Sequence, residues 1–186
     1  MHVLVTGATG YIGKHVLARL LESGHRVTVL VRPQGGRLHA RMVDALRPLQ
    51  PHARPLHELP RITVLAGDIT LADCGLTTGD LGVLADAPPE ACIHCAGLTR
   101  FDAHLAAAIH RHNLDGTRHA HALAKHLGIA RFHHLSTAFV AGDTPACFGP
   151  GDRDRGQSFH NPYEASKHAA EVYLAAAAQA GDPAIS

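Results

Sequence analysis

A chain of 186 residues with a formal net charge of +1 can build one domain that buries about 70% of its unfolded surface. The near-neutral balance gives no general electrostatic case for nucleic acid or an anionic membrane. No run approaches the ~20 apolar residues of a spanning helix, and no charged-then-apolar leader precedes the first apolar run. Four cysteines, Cys74, Cys92, Cys95 and Cys147, are too few and scattered for a disulfide framework, which suits a reducing cytoplasm.

Val3, Leu4 and Val5 predict a short buried strand. Gly7, Gly10 and Gly13 follow at G-x-x-G-x-x-G spacing, and Ile12, Val16, Leu17, Leu20 and Leu21 begin a helical pattern at once. A strand, a tight glycine turn and a helix N-terminus together make a pyrophosphate cradle: small residues let backbone approach the ligand, and free N–H groups and the helix dipole favour its charge. Gly24 stops the helix before a second strand, Val27 to Val31. Arg32, Arg37 and Arg41 follow it, and no acidic residue lies between Gly24 and Asp44. A carboxylate there suits the adenosine ribose of NAD, whereas a guanidinium suits the 2′-phosphate of NADP. The expected cofactor is therefore NADP(H), with Arg32 and Arg37 at its phosphate.

Residues 33–60 carry five prolines and read as a loop around one short helix, Leu38 to Leu46. Ile62 to Leu65, Ala91 to Cys95 and Phe132 to Ser136 predict further strands. A long helix is expected from Ala103 to Leu127, with Ala120, Leu123, Ala124 and Leu127 on its buried face. The last helix, Tyr163 to Ala180, stops at Gly181-Asp182-Pro183, and another strand should begin at Ala184-Ile185-Ser186. This alternation predicts an α/β, Rossmann-like, doubly wound parallel sheet with helices on both faces.

Seventeen histidines raise the question of metal. Within His110/His112, His119/His121, His133/His134 and Cys92/Cys95, the spacing turns the side chains to different faces, so no metal site is expected. Tyr163 and Lys167 are four apart on one face of a helix start. A lysine ammonium one turn from a phenol favours the phenolate and makes it a usable proton donor or acceptor near neutral pH.

Together these strings resemble the short-chain dehydrogenase/reductase superfamily in its extended branch, over nearly the whole chain. Thr6-Gly7-Ala8-Thr9-Gly10-Tyr11-Ile12-Gly13 matches its cofactor loop. Gly67-Asp68-Ile69 matches the segment whose acid meets the adenine, and His94-Cys95-Ala96-Gly97 the turn running beside the cofactor. Asn113, ahead of Gly116-Thr117, matches the helix asparagine that supports a proton relay. Ser136-Thr137-Ala138 matches the segment with the third catalytic hydroxyl, placed at Thr137. Gly75-Leu76-Thr77, Leu98-Thr99-Arg100-Phe101-Asp102, Ser136 through Gly142 and Phe159 through Glu164 look like fatty acyl-CoA reductases and thioester-reductase domains of carrier-protein enzymes.

The resemblance implies an NADPH-dependent reductase of a carbonyl, acting on a small-molecule or carrier-bound acyl substrate. In this reading Thr137 and Tyr163 hold the carbonyl oxygen, Tyr163 supplies the proton and Lys167 binds the nicotinamide ribose. A nucleotide-sugar epimerase or dehydratase, or a non-catalytic NADP(H) binder, is the alternative. Extended relatives continue for roughly another hundred residues, so residues 1–186 read as an NADP-binding domain incomplete at its C-terminus. Related enzymes commonly dimerise through helices corresponding to 103–127 and 163–180, which makes a homodimer an expectation.

Overall fold

The computed structural model describes residues 1–186 apart from 34, 36, 48–60, 146, 183 and 186. Six parallel strands form one sheet: β1 (His2–Thr6), β2 (Arg26–Val31), β3 (Ile62–Ala66), β4 (Ala91–His94), β5 (Arg131–His134) and β6 (Ala184–Ile185). Their order is β3-β2-β1-β4-β5-β6. The order reverses between β1 and β4, which opens a crevice at the carboxyl ends of those strands, where such sheets bind ligands. The described helices are α1 (Tyr11–Glu22), α2 (Leu38–Leu46), α3 (Thr78–Asp86), α4 (Ala106–His110), α5 (Gly116–His126) and α6 (Pro162–Gln179). None of them is long and apolar enough to cross a membrane.

Side-chain alternation along each strand builds two cores, one on each sheet face. Val3, Val5, Val27 and Val29 pack with Leu17 of α1 and Met42 of α2. Leu4, Leu30, Cys92 and Phe132 point the other way, onto Leu84 of α3, Leu123 and Ala124 of α5 and Leu174 of α6. All five residues of β1 are buried, as a central strand covered on both faces requires. At the end of α1, Gly24 takes φ +79°. It donates to Leu21 O while His25 N donates to Leu20 O, so the last carbonyls are satisfied as the chain turns into β2.

The expected long helix is present but interrupted. A tight turn at Ala103–Leu105 leads into α4, and Arg111–Asp115 is a π-helical stretch between α4 and α5. The expected buried face, Ala120 to Leu127, lies wholly beyond that stretch, so its periodicity carries no mark of it. Strands four and five end earlier than expected, at His94 and His134. Leu135 N still donates to His94 O at 3.1 Å; the chain then leaves the sheet, because Thr137 caps a tight turn at Ala138–Ala141 by accepting from Phe139 N. Ser136 and Thr137 thus stand beyond the sheet edge. Helix α3, absent from the sequence expectations, starts with Thr77 and Asp80 each accepting from the other's backbone N–H. The expected strand at Ala184–Ile185 forms, with Ile185 paired to Phe132.

Candidate active site

The turn after β1 is shaped for a ligand backbone to approach. Gly7 has φ +72°, and a Cβ there would lie 2.5 Å from Ala96 N, so the turn abuts the loop after β4. A Cβ on Gly13 would lie 2.1 Å from Gly7 O, so α1 sits directly on the turn. Gly10 N donates to Gly7 O at 2.9 Å. Gly10 caps α1 with no side-chain acceptor and no acid in its first turn, which leaves the positive helix end free for an anion.

A cleft of about 250 Å³ runs from this turn across the switch point. Gly7, Thr9 and Gly10 line it with Cys95, Ala96 and Gly97 from the loop after β4 and with Asp68 and Ile69 from the loop after β3. Its far end holds Arg32, Arg41 and His112. Arg41 donates to Arg32 O, and Arg32 Nη1 donates to His112 Nε2 at 3.2 Å; His112 Nδ1–H is engaged by Ala108 O at 2.8 Å. Arg37 instead precedes α2 at its N-cap, exposed and away from the cleft lining. Tyr11 and Ile12 are exposed on α1, and Tyr11 packs edge-on against His15. Asp68 accepts from Thr70 N at 2.9 Å and Thr70 Oγ1 at 2.8 Å. Burial opposes its charge, but those two bonds and the nearby Arg32 and His112 outweigh it and hold the carboxyl below its ordinary value.

At the other end, α6 starts on a built cap. Asn161 Oδ1 accepts from Glu164 N at 3.1 Å, Pro162 opens the helix, and Glu164 accepts from His160 N at 2.9 Å. This fixes Tyr163, half-buried with its ring edge-on to Phe101 at 5.5 Å. One turn on, Lys167 is 5% exposed. Its Nζ donates to Leu135 O at 2.6 Å and to His134 Nε2 at 3.0 Å. Burial pushes the lysine down to about 8, against the opposing charge of Glu171. Thr137 Oγ1 accepts from Phe139 N at 3.3 Å, so its own hydrogen remains available to a ligand. Thr137 also borders a second cavity of about 470 Å³ between the chain after β5 and α6. Ser136 Oγ and His134 Nδ1, at the edge of that cavity, are buried without a partner among the described residues.

Asn113 lies in the π stretch and is 1% exposed, so it is no surface residue. Its Oδ1 accepts from Leu98 N at 2.7 Å, and its Nδ2 donates to Leu98 O at 3.1 Å and Ser166 Oγ at 2.9 Å. Ser166 Oγ in turn donates to Tyr163 O at 2.8 Å. The asparagine therefore ties the loop beside the cleft to the turn carrying Tyr163.

His94, inside the His94–Gly97 motif, and His134, outside every motif quoted for the site, carry contacts to which sequence reasoning assigned no role. Thr117 Oγ1 uses its one hydrogen on Asn113 O at 2.6 Å, so His94 Nε2–H donates to Thr117 Oγ1 at 3.2 Å. His94 Nδ1 then accepts from Thr6 Oγ1 at 2.7 Å, and Thr6 Oγ1 accepts from Ala96 N at 3.3 Å. Burial and the Lys167 charge push His94 down to about 3, keeping it neutral. His94 and His134 are register partners on β4 and β5, with rings stacked at 5.5 Å. Counted from the expected strand starts, Ala91 and Phe132, the register would have set His94 opposite Leu135, so the pairing emerges only from the fold.

Comparison with known proteins agrees with this geometry. The male sterility protein family, an NAD-binding family, matches residues 5–185. Human fatty acyl-CoA reductase 1 is 32% identical over 152 residues, covering 75% of this chain and 28% of that protein. UDP-glucose 4-epimerase 3 of Oryza sativa subsp. japonica is 32% identical over 190 residues, covering 97% of this chain and 45% of its own length. Among solved structures, the terminal R domain of the myxalamid PKS-NRPS pathway superposes with TM-score 0.81 at 27% identity, over 99% of this chain and 47% of that one. DesIV, a dTDP-glucose 4,6-dehydratase from Streptomyces venezuelae solved with NAD and TYD bound, gives TM-score 0.70 at 25% identity, over 100% of this chain and 54% of that one. The chain thus spans about half or less of each of these relatives. The glycine cradle, the switch-point cleft and the Tyr163–Lys167 helix, taken with the match over residues 5–185, place the chain in the male sterility protein family of extended short-chain dehydrogenases/reductases.

Proposed function

We propose that this chain is the cofactor-binding part of an NADPH-dependent reductase of acyl thioesters. The observation that carries the reading is the switch-point cleft, with a basic end at Arg32 and Arg41 and an anion cradle at the start of α1. Thr137 follows the end of β5, and Tyr163 and Lys167 share the first turns of α6. The residues fit a phosphorylated dinucleotide. The Gly7–Gly13 turn would hold the diphosphate, Arg32 and Arg41 the 2′-phosphate, and Asp68 and Ile69 the adenine side. When bound, the dihydronicotinamide supplies a hydride to the carbonyl carbon.

The chain's own residues do the rest. Thr137 donates its free hydroxyl hydrogen to the carbonyl oxygen. Tyr163 transfers its phenolic proton to the same oxygen as carbon takes the hydride, giving a thiohemiacetal. That species breaks its C–S bond to release an aldehyde and a thiol. Lys167 favours the phenolate left behind and offers its remaining N–H to the nicotinamide ribose. Asn113 acts through Ser166 on the backbone of Tyr163, as a positioning residue.

The epimerase likeness supports a second reading, redox-neutral turnover of a nucleotide sugar. The two differ in stoichiometry. A reductase consumes one NADPH per aldehyde, whereas an epimerase returns every hydride. Incubating the protein that contains this chain with NADPH and an acyl-CoA, and separately with a nucleotide sugar, decides between them. Loss of NADPH absorbance with the thioester, reduced about 10²–10⁴-fold in Tyr163→Phe with NADPH affinity intact, is the expected result. Sugar conversion without net NADPH loss would overturn it.

A further inference from the structure

We propose that His134 is a positioning residue for Lys167, holding the lysine ammonium at the carboxyl end of β5 by accepting one of its three N–H groups. The contact is His134 Nε2 to Lys167 Nζ at 3.0 Å, beside the 2.6 Å bond to Leu135 O. An ammonium has hydrogens and no lone pair, so His134 Nε2 must be the acceptor and the ring proton sits on Nδ1. That Nδ1 is buried and has no partner among the described residues. The tautomer is therefore set by the lysine, against the interest of the ring's other nitrogen. A ring present only for packing has no such preference.

The ring is itself held. His94 stacks on it at 5.5 Å, and Thr6 and Thr117 fix His94. The ammonium is thereby referenced to β1, β4, β5 and α5 at once. With Leu135 O and His134 Nε2 occupied, one lysine N–H remains for a ligand, and its direction is determined by the other two. The charged and titratable groups around Lys167 are His134 and His94 from the strands, Cys95 from the loop after β4, and Glu171 one turn along α6. Burial, then the Lys167 charge, drives His134 down to about 2, so it faces the ammonium as a neutral base. The contact stands independently; its catalytic consequence rests on the reductase reading, in which Lys167 biases Tyr163.

Titration of the lysine side-chain ¹⁵N signals by NMR tests this without turnover. An acceptor favours the charged lysine, so in His134→Leu the Lys167 midpoint should fall by about one pH unit or more relative to wild type. In His134→Gln, whose amide oxygen can accept the same hydrogen, most of that fall should be recovered. Should the leucine variant not fold, His134→Ala takes its place, with added imidazole returning the midpoint. A leucine or alanine variant titrating like wild type overturns the proposal, as does a glutamine variant titrating like leucine. NADPH binding, measured on the same wild-type sample, reports separately on the reductase reading.

Discussion

Arg32 reaches the cleft from the end of β2 with its carbonyl tied to Arg41 and its guanidinium against His112. It is exposed, so pairing with the proposed 2′-phosphate would draw on charged hydrogen bonds of about 1.5–3 kcal/mol. Arg32→Asp should therefore weaken NADPH binding about 10–100-fold and leave NADH binding equal or tighter, as read by fluorescence titration of each nucleotide. Equal loss for both nucleotides would show that the arginine serves the fold or the diphosphate and not the 2′-phosphate. Arg37 is the instructive contrast. It shares Arg32's charge and loop, but at the N-cap of α2 it stands outside the cleft lining, while Arg41, one turn later, lines it. Charge type is legible in a sequence; that Arg32 and Arg41 line the cleft while Arg37 does not is set by the path of the chain between β2 and α2.

At the scale of elements, the glycine turn and α1 act as one unit. A methyl on Gly13 would sit 2.1 Å from Gly7 O, a backbone atom that cannot swing aside. Gly13→Ala should cost about 1–3 kcal/mol of stability in urea unfolding and weaken nucleotide binding at least about tenfold. Helix α3 makes the opposite prediction. Its Thr77–Asp80 capping box lies outside the cleft lining, so Thr77→Ala should cost about 1 kcal/mol in unfolding and leave nucleotide affinity unchanged. That box is a purely local signal, Thr-x-x-Asp ahead of Leu81 and Leu84, and was readable without the structure. The bounds of α2, Leu38–Leu46, were readable too, from proline and glycine punctuation. The π stretch at Arg111–Asp115 was not, since it leaves the apolar pattern of α5 intact.

For the whole molecule, two neutral histidines, His94 buried and His134 half-buried, set the pH response. His94 and His134 are pushed down to about 3 and about 2 by burial and the Lys167 charge, while the unfolded chain binds their protons near 6.5. Their contribution is complete above about 6.5 and is lost as pH falls toward those lowered values, each costing up to about 1.4 kcal/mol per pH unit. His2 and His121 are lowered in the same direction. Lys167 adds a constant term below about 8, and Asp68, lowered from 3.8, acts only near and below its ordinary value. Chemical denaturation should therefore show stability falling steeply from pH 7 to pH 5; a flat profile would mean these rings are solvated. None of this could be read from seventeen histidines in a row of letters. His94 and His134 meet because β4 and β5 pair in one register, forty residues apart in the chain.

In the proposed function a pyridine dinucleotide docks on the amino end of α1 with its phosphate end toward Arg32 and Arg41. Calorimetric titration of the folded chain with NADPH and with NADH tests it most directly. Saturable heat with both, at least about tenfold tighter for NADPH, is the predicted result. Folded protein that takes up neither nucleotide would contradict the account.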